Sequence, residues 1–149
     1  MFRDIAVLLP VDRPAGALID CAVSVAQLFE AHLDGIACVY QPLNPMIAPE
    51  AAAVVMTAEY DAGVEQAAIV LDRFEIATRR LGIPHDAKST FNVSYAATRI
   101  VTEMSRLHDL NILAQPDRSH PSRTDFLAEA VLFGSGRPML MVPYIHRGR

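Results

Sequence analysis

The run Asp4-Ile5-Ala6-Val7-Leu8-Leu9, followed at once by Pro10-Val11-Asp12, decides how the rest of the chain is read. Its apolar residues are continuous instead of alternating, the pattern of a strand covered by helices on both faces of a parallel sheet. The segment that follows has helical spacing. Pro14 suits a first helical turn, and Leu18, Cys21, Ala22, Val25, Leu28, Phe29 and His32 recur by threes and fours over four turns.

Working outward, the same alternation continues to the end of the chain. Leu33 to Tyr40 returns to strand character and stops at Gln41-Pro42, where proline denies the sheet its next donor. A proline-rich loop from Leu43 to Pro49 leads into a long helix over residues 50–81. Its stripe is Tyr60, Val64, Ala67, Leu71, Phe74 and Leu81, and Gly82 with Pro84 stops it. His85 to Phe91 is more polar and reads as a strand at a sheet edge. Asn92 or Ser94 caps the next helix, whose inner face is Ala97, Ile100, Val101, Met104 and Leu107. Asp109 to Ala114 is a fourth strand. Ser122 and Asp125 then resemble a capping box before a short helix carrying Phe126, Leu127, Ala130 and Val131, ended by Gly134 or Gly136. Pro138 to Pro143 is a fifth strand bracketed by prolines. Strands alternating with helices throughout predict one α/β, doubly wound domain over residues 1–143 with right-handed crossovers, and a tail over 144–149.

Composition agrees with a folded binding domain and excludes several classes. A chain of 149 residues with 52% apolar and 20% charged residues has enough apolar surface for one core. A formal charge of −4 and a pI near 5.7 exclude a broad nucleic-acid surface, which needs a concentrated positive field. The longest apolar runs fall well short of the roughly 18 residues of a membrane helix. Met1-Phe2-Arg3-Asp4 enters a strand-like run at once, with no room for a signal peptide, so export is not expected. Cys21 on a helical stripe and Cys38 in an apolar strand read as small buried hydrophobes.

Three features in this order, Pro10-Val11-Asp12 after strand one, Asp109-Leu110 before strand four and Arg137-Pro138-Met139-Leu140-Met141-Val142-Pro143 at the close, resemble the universal stress protein family over residues 3 to 143. The resemblance implies a flavodoxin-like five-stranded parallel sheet in the order 3-2-1-4-5 with helices on both faces, cytoplasmic residence, a stress-associated role and homodimerisation. It implies that the last strand pairs with its twin, so that Met139, Leu140, Met141 and Val142 meet their copies. In many relatives it also implies ATP binding. The ATP-binding members carry a glycine at the end of strand four, a second three residues later and a Gly-Ser or Gly-Thr pair about ten residues beyond, which let backbone N–H groups and a hydroxyl reach phosphate oxygens. The corresponding stretch here, Gln115 to Thr124, has no glycine, two prolines without N–H groups, and Asp117, which repels phosphate. Gly134-Ser135-Gly136 lies just before the last strand and reads as a helix stop.

The candidate ligand site gathers at the strand ends, where doubly wound sheets place ligands. Asp12 follows strand one, and the matching aspartate in the family lies beside base and ribose. Val39 and Tyr40 end strand two, and Ala114 and Gln115 end strand four. Arg118, Ser122 and Arg123 offer cationic and hydroxyl donors near the last helix that side chains could use in place of a glycine nest. The five histidines never pair at metal-ligand spacing and have no cysteine near them in sequence, so no metal is expected. No nucleophilic elbow or Walker motif is present. The sequence thus predicts a non-enzymatic, cytoplasmic stress-response domain with no resident cofactor and little ATP binding. It would act as a homodimer or through partner contacts, with a small-molecule ligand possible and neither nucleic acid nor membrane as partner. The alternative is an adenine-nucleotide (ATP or AMP) binder that uses Arg and Ser side chains.

Overall fold

Successive residues of β1 (Asp4–Pro10) enter opposite layers of the molecule in the computed structural model, which describes residues 1–41, 48–93 and 95–143. Ile5, Val7 and Leu9 pack under α1 (Gly16–Phe29) and α2 (Pro49–Arg80). Ala6 and Leu8 pack under α3 (Tyr95–Arg106) and α4 (Phe126–Gly134). Both faces of the strand are therefore core, as its unbroken apolar run requires. Around it, β2 (His32–Gln41), β3 (His85–Val93), β4 (Leu110–Ala114) and β5 (Met139–Val142) complete a sheet in the order β3-β2-β1-β4-β5. Every neighbouring pair is parallel. The flavodoxin-like, doubly wound architecture expected from the sequence is the one observed.

The helices differ from expectation in which residues face the sheet. α1 begins at Gly16, so Pro14 lies before it, and it ends at Phe29, so His32 opens β2 instead of extending a helical stripe. Its buried residues are Leu18, Ile19, Ala22, Val23 and Ala26, whereas Leu28 is 76% exposed. On α2 the inward stripe is Gly63, Ala67, Val70, Phe74 and Thr78, while Tyr60, Val64 and Leu81 stay largely in solvent. Close approach fixes where this stripe begins: a Cβ on Gly63 would stand 2.6 Å from Val39 Cγ1, so no larger residue fits at that point on β2. No residue of α2 before Gly63 is buried. Leu107 lies beyond the end of α3 and is exposed, and α4 turns Leu127, Ala128 and Val131 inward while Phe126 meets Tyr40 edge-on. The cap expected at Ser94, the loop residues 43–47 and the tail 144–149 lie outside the described residues. Both cysteines are free, and burial pushes the Cys38 thiol up to about 12, which keeps it unreactive. Among the described residues no helix is long and apolar enough to cross a membrane.

Phe74 is fully buried over β2, and the place its ring occupies exists because residue 35 is glycine. A Cβ at that position would lie 2.5 Å from Phe74 Cε1 and 2.6 Å from Cδ1. The Gly35→Ala variant should therefore lose about 1–3 kcal/mol of stability through overpacking, although alanine is otherwise acceptable in a strand. Chemical denaturation checks this, and a Gly35→Ala, Phe74→Leu double variant should be less destabilised than the sum of the two single changes.

Candidate functional site

Because all five strands run the same way, their C-terminal ends share one rim of the sheet. There β1 and β4 lie side by side while their following segments depart to opposite faces, the place where open α/β sheets bind ligands. The continuation of β1, Val11-Asp12-Arg13, meets the loop over residues 115–125 that joins β4 to α4.

Asp12 fastens that loop. Its Oδ1 accepts the Ser122 hydroxyl at 2.6 Å, and its Oδ2 accepts the Arg123 backbone N–H at 2.8 Å. The Ser122 N–H donates to Asp125 Oδ2 at 2.9 Å, so the acidic half of the expected capping box forms. The Ser122 hydroxyl is directed mainly at Asp12, while also accepting the Thr124 N–H at 3.2 Å. Beside it the nearly buried Arg13 places Nη2 3.1 Å from Asp125 Oδ1 and 3.4 Å from the Gln115 carbonyl. Its Nη1 is buried and without a hydrogen-bond partner among the described residues.

A second carboxylate ties the other half of the loop. Asp117 Oδ1 accepts the Ser119 N–H at 2.8 Å, and its Oδ2 stands 3.1 Å from His120 Nδ1. The Ser119 N–H, with help from His120, holds the Asp117 carboxyl below its ordinary 3.8. The backbone N–H groups of Ser119, Ser122 and Arg123 and the Ser122 hydroxyl, which this loop could present to a bound anion, are thus occupied by the chain's own carboxylates.

Two crevices flank the Asp12 clamp. One, of about 230 Å³, lies between β1, β2 and α2 and is lined by Asp12, Val39, Tyr40, Glu59, Gly63, Gln66 and Arg123. Arg123 Nη2 stands 3.7 Å from Glu59 Oε1 there. The other, of about 670 Å³, lies over β1, β4 and the start of α1 and is lined by Asp12, Arg13, Ala114, Gln115, Asp117 and His120. The residues expected to form one crevice are divided between two: Val39, Tyr40 and Arg123 in the first, Ala114 and Gln115 in the second, and Asp12 in both. Ser122 is buried at the clamp, and Arg118 is exposed and lines neither crevice. Sequence reasoning missed Arg13, Glu59, Gln66 and Asp117 as crevice residues. Arg13 was recoverable from its place beside Asp12 at the strand end. Glu59, Gly63 and Gln66 share a helical face at spacings of four and three.

Set against solved structures, the fold has counterparts. The universal stress protein UspA from Lactobacillus plantarum superposes with a TM-score of 0.69 at 16% identity, over 94% of this chain and 98% of that one. A protein of the universal stress protein family from Burkholderia pseudomallei gives 0.64 at 19% identity, over 94% and 96%. The chain has the universal stress protein fold. The universal stress protein from Archaeoglobus fulgidus, solved in complex with dAMP, gives 0.57 at 12% identity, over 94% and 97%. No protein-family model and no curated protein sequence matches the chain.

Since Asp117 titrates lower in the folded chain than in the unfolded one, its contribution to ordering the loop is complete above pH 3.8 and fades as pH falls through the folded value. Carboxyl NMR should place its midpoint below 3.8, and a Ser119→Pro variant, which removes the N–H donor, should move that midpoint upward. A wild-type midpoint at or above 3.8 would contradict the arrangement.

Proposed function

We propose that this chain is a universal stress protein-like, non-enzymatic domain that acts as a homodimer and takes an uncharged, nucleoside-sized ligand in the smaller crevice, with little affinity for ATP. One observation carries the reading: Asp12 and Asp117 accept the N–H and hydroxyl donors of the β4–α4 loop. A triphosphate has to displace them and overcome their charge. Two charge-assisted hydrogen bonds forgone at about 1.5–3 kcal/mol each remove roughly 3–6 kcal/mol of binding. At 1.4 kcal/mol per tenfold that is about two to four decades of affinity. The volume of about 230 Å³ is below the roughly 300–1,000 Å³ typical of drug-sized ligands, which suits a base or nucleoside better than a whole nucleotide. The Ser122 hydroxyl donates to a carboxylate and not to a histidine base, which favours binding over covalent chemistry.

A nucleotide-binding reading has its own support. Universal stress proteins of the same fold are solved with cAMP and with dAMP, and Arg13 holds an unpartnered Nη1 beside the larger crevice. Calorimetric titration separates the two. On the first reading adenosine binds at least as well as ATP, and Asp12→Asn, which frees donors and removes a charge, tightens ATP about tenfold or more. Micromolar ATP binding that Asp12→Asn weakens would decide for the nucleotide reading, with Asp12 as a direct ligand.

The dimer would form through β5, the edge strand next to β4, where Met141 is 37% exposed and Met139 and Leu140 are half-buried. An uncovered apolar edge invites uncontrolled pairing, and a symmetric twin closes it. Sedimentation should give a dimer at micromolar concentration, and Met141→Lys, at the exposed position of the strand, should yield a folded monomer. A monomeric wild-type chain would count against this interface.

A further inference from the structure

At the end of the sheet opposite the crevices, β2 opens with His32-Leu33-Asp34 and β3 with His85-Asp86, in a register that sets Asp34 beside Asp86. Residues two apart on a strand share a face. His32, Asp34 and Asp86 are accordingly brought together, with one ligand atom from each lying within 4.8 Å of the others. His32 Nδ1 is 3.6 Å from Asp34 Oδ1, and its Nε2 is 3.3 Å from Asp86 Oδ2.

Asp34 makes this more than a surface cluster. The residue is 9% exposed, and its Oδ2 is anchored by His108 Nε2 at 2.8 Å and Lys88 Nζ at 3.1 Å. Its Oδ1 is buried, faces His32 and has no hydrogen-bond partner among the described residues. An oriented carboxylate with one oxygen fixed from behind and the other unpartnered is how metal-ligating carboxylates are held.

We propose that His32, Asp34 and Asp86 bind a divalent transition-metal ion of the zinc type, one ring nitrogen and two carboxylate oxygens from the chain leaving a position for water. Ligands at about 2.0–2.2 Å from a tetrahedral zinc stand about 3.3–3.6 Å from one another, and the three ligand atoms here, within 4.8 Å of one another, have only to draw together around the ion. The half-exposed His32 ring needs only to turn one nitrogen toward both carboxylates. A mixed nitrogen and oxygen set suits zinc, cobalt or nickel over magnesium and calcium, which take oxygen alone. Lys88 lowers the affinity by its charge but contacts the opposite oxygen of Asp34. The expectation that no metal binds came from histidine and cysteine spacing along the chain, whereas here strand register supplies the carboxylates. The bound ion would pin edge strand β3 to β2.

The test is zinc titration of the untagged chain against a chromophoric chelator, with magnesium as control and cobalt absorption as the coordination probe. One zinc per chain should bind with a Kd on the order of micromolar, and at a hundredfold excess over Kd the melting midpoint should rise by roughly 5–10 °C. Magnesium should produce neither effect. His32→Gln and Asp86→Asn, both at accessible side chains, should each weaken zinc at least about tenfold, or 1.4 kcal/mol, and abolish the cobalt spectrum while the metal-free melting curve stays in place. Zinc binding weaker than about 100 μM, or binding undiminished in both variants and therefore located elsewhere, overturns the proposal.

Discussion

A strand buried on both faces cannot stand at the edge of a sheet, and this one constraint on β1 organises the molecule. It requires β2 and β4 on either side of β1 and a helix layer above and below. Parallel neighbours in turn demand crossovers, so the connections are helices and the strand ends are sorted, C-termini to one rim and N-termini to the other. The candidate ligand crevices and the His32, Asp34 and Asp86 cluster therefore occupy opposite rims of one sheet. They are separated by a packed core and share no side chain.

At the ligand rim the physical contest is between an intramolecular carboxylate and an incoming anion for the same donors. A glycine nest leaves its N–H groups open, with no side chain of its own to fill them. This loop instead presents Ser122 and Arg123 to Asp12, and Ser119 to Asp117. On the reading proposed above, these contacts are the reason the rim would favour uncharged guests. Arg13 runs through the centre of this arrangement, tying the β1 end to Asp125 while leaving one nitrogen unmatched.

The fold was legible because β1, β2 and the last strand carry continuous apolar runs and the intervening segments carry helical spacing. Those signals are local and strong. Which face of a helix turns inward was less legible. Tyr60 and Val64 fit the stripe by spacing, yet α2 approaches β2 so closely that Gly63 and Ala67 take the inward positions, a fact fixed by distance between elements and not by periodicity. The site was half legible for a similar reason. Asp12, Val39 and Gln115 were found as strand-end residues. That Asp12 binds Ser122, 110 positions away, depends on how the loop folds back, which no window of sequence contains. Likewise the pairing of Asp34 with Asp86 follows from register between two strands 52 residues apart.

The length of α2 carries a consequence for motion. Its 32 residues extend about 48 Å at 1.5 Å each, whereas the nine residues of β3 reach only about 30 Å, and burial on the sheet begins at Gly63. The first 14 residues, Pro49 to Ala62, bury no residue on the sheet and touch the rest of the described chain through side chains such as Tyr60, against Phe91, and Glu59, near Arg123; a segment that short is marginal as an isolated helix in water. Amide exchange along this one helix must therefore be graded, fast near Ala52 and slowing by orders of magnitude toward Phe74. A single continuous element thus contains two thermodynamic regimes, a half anchored in the core that opens only with it and a surface half that opens at lower cost.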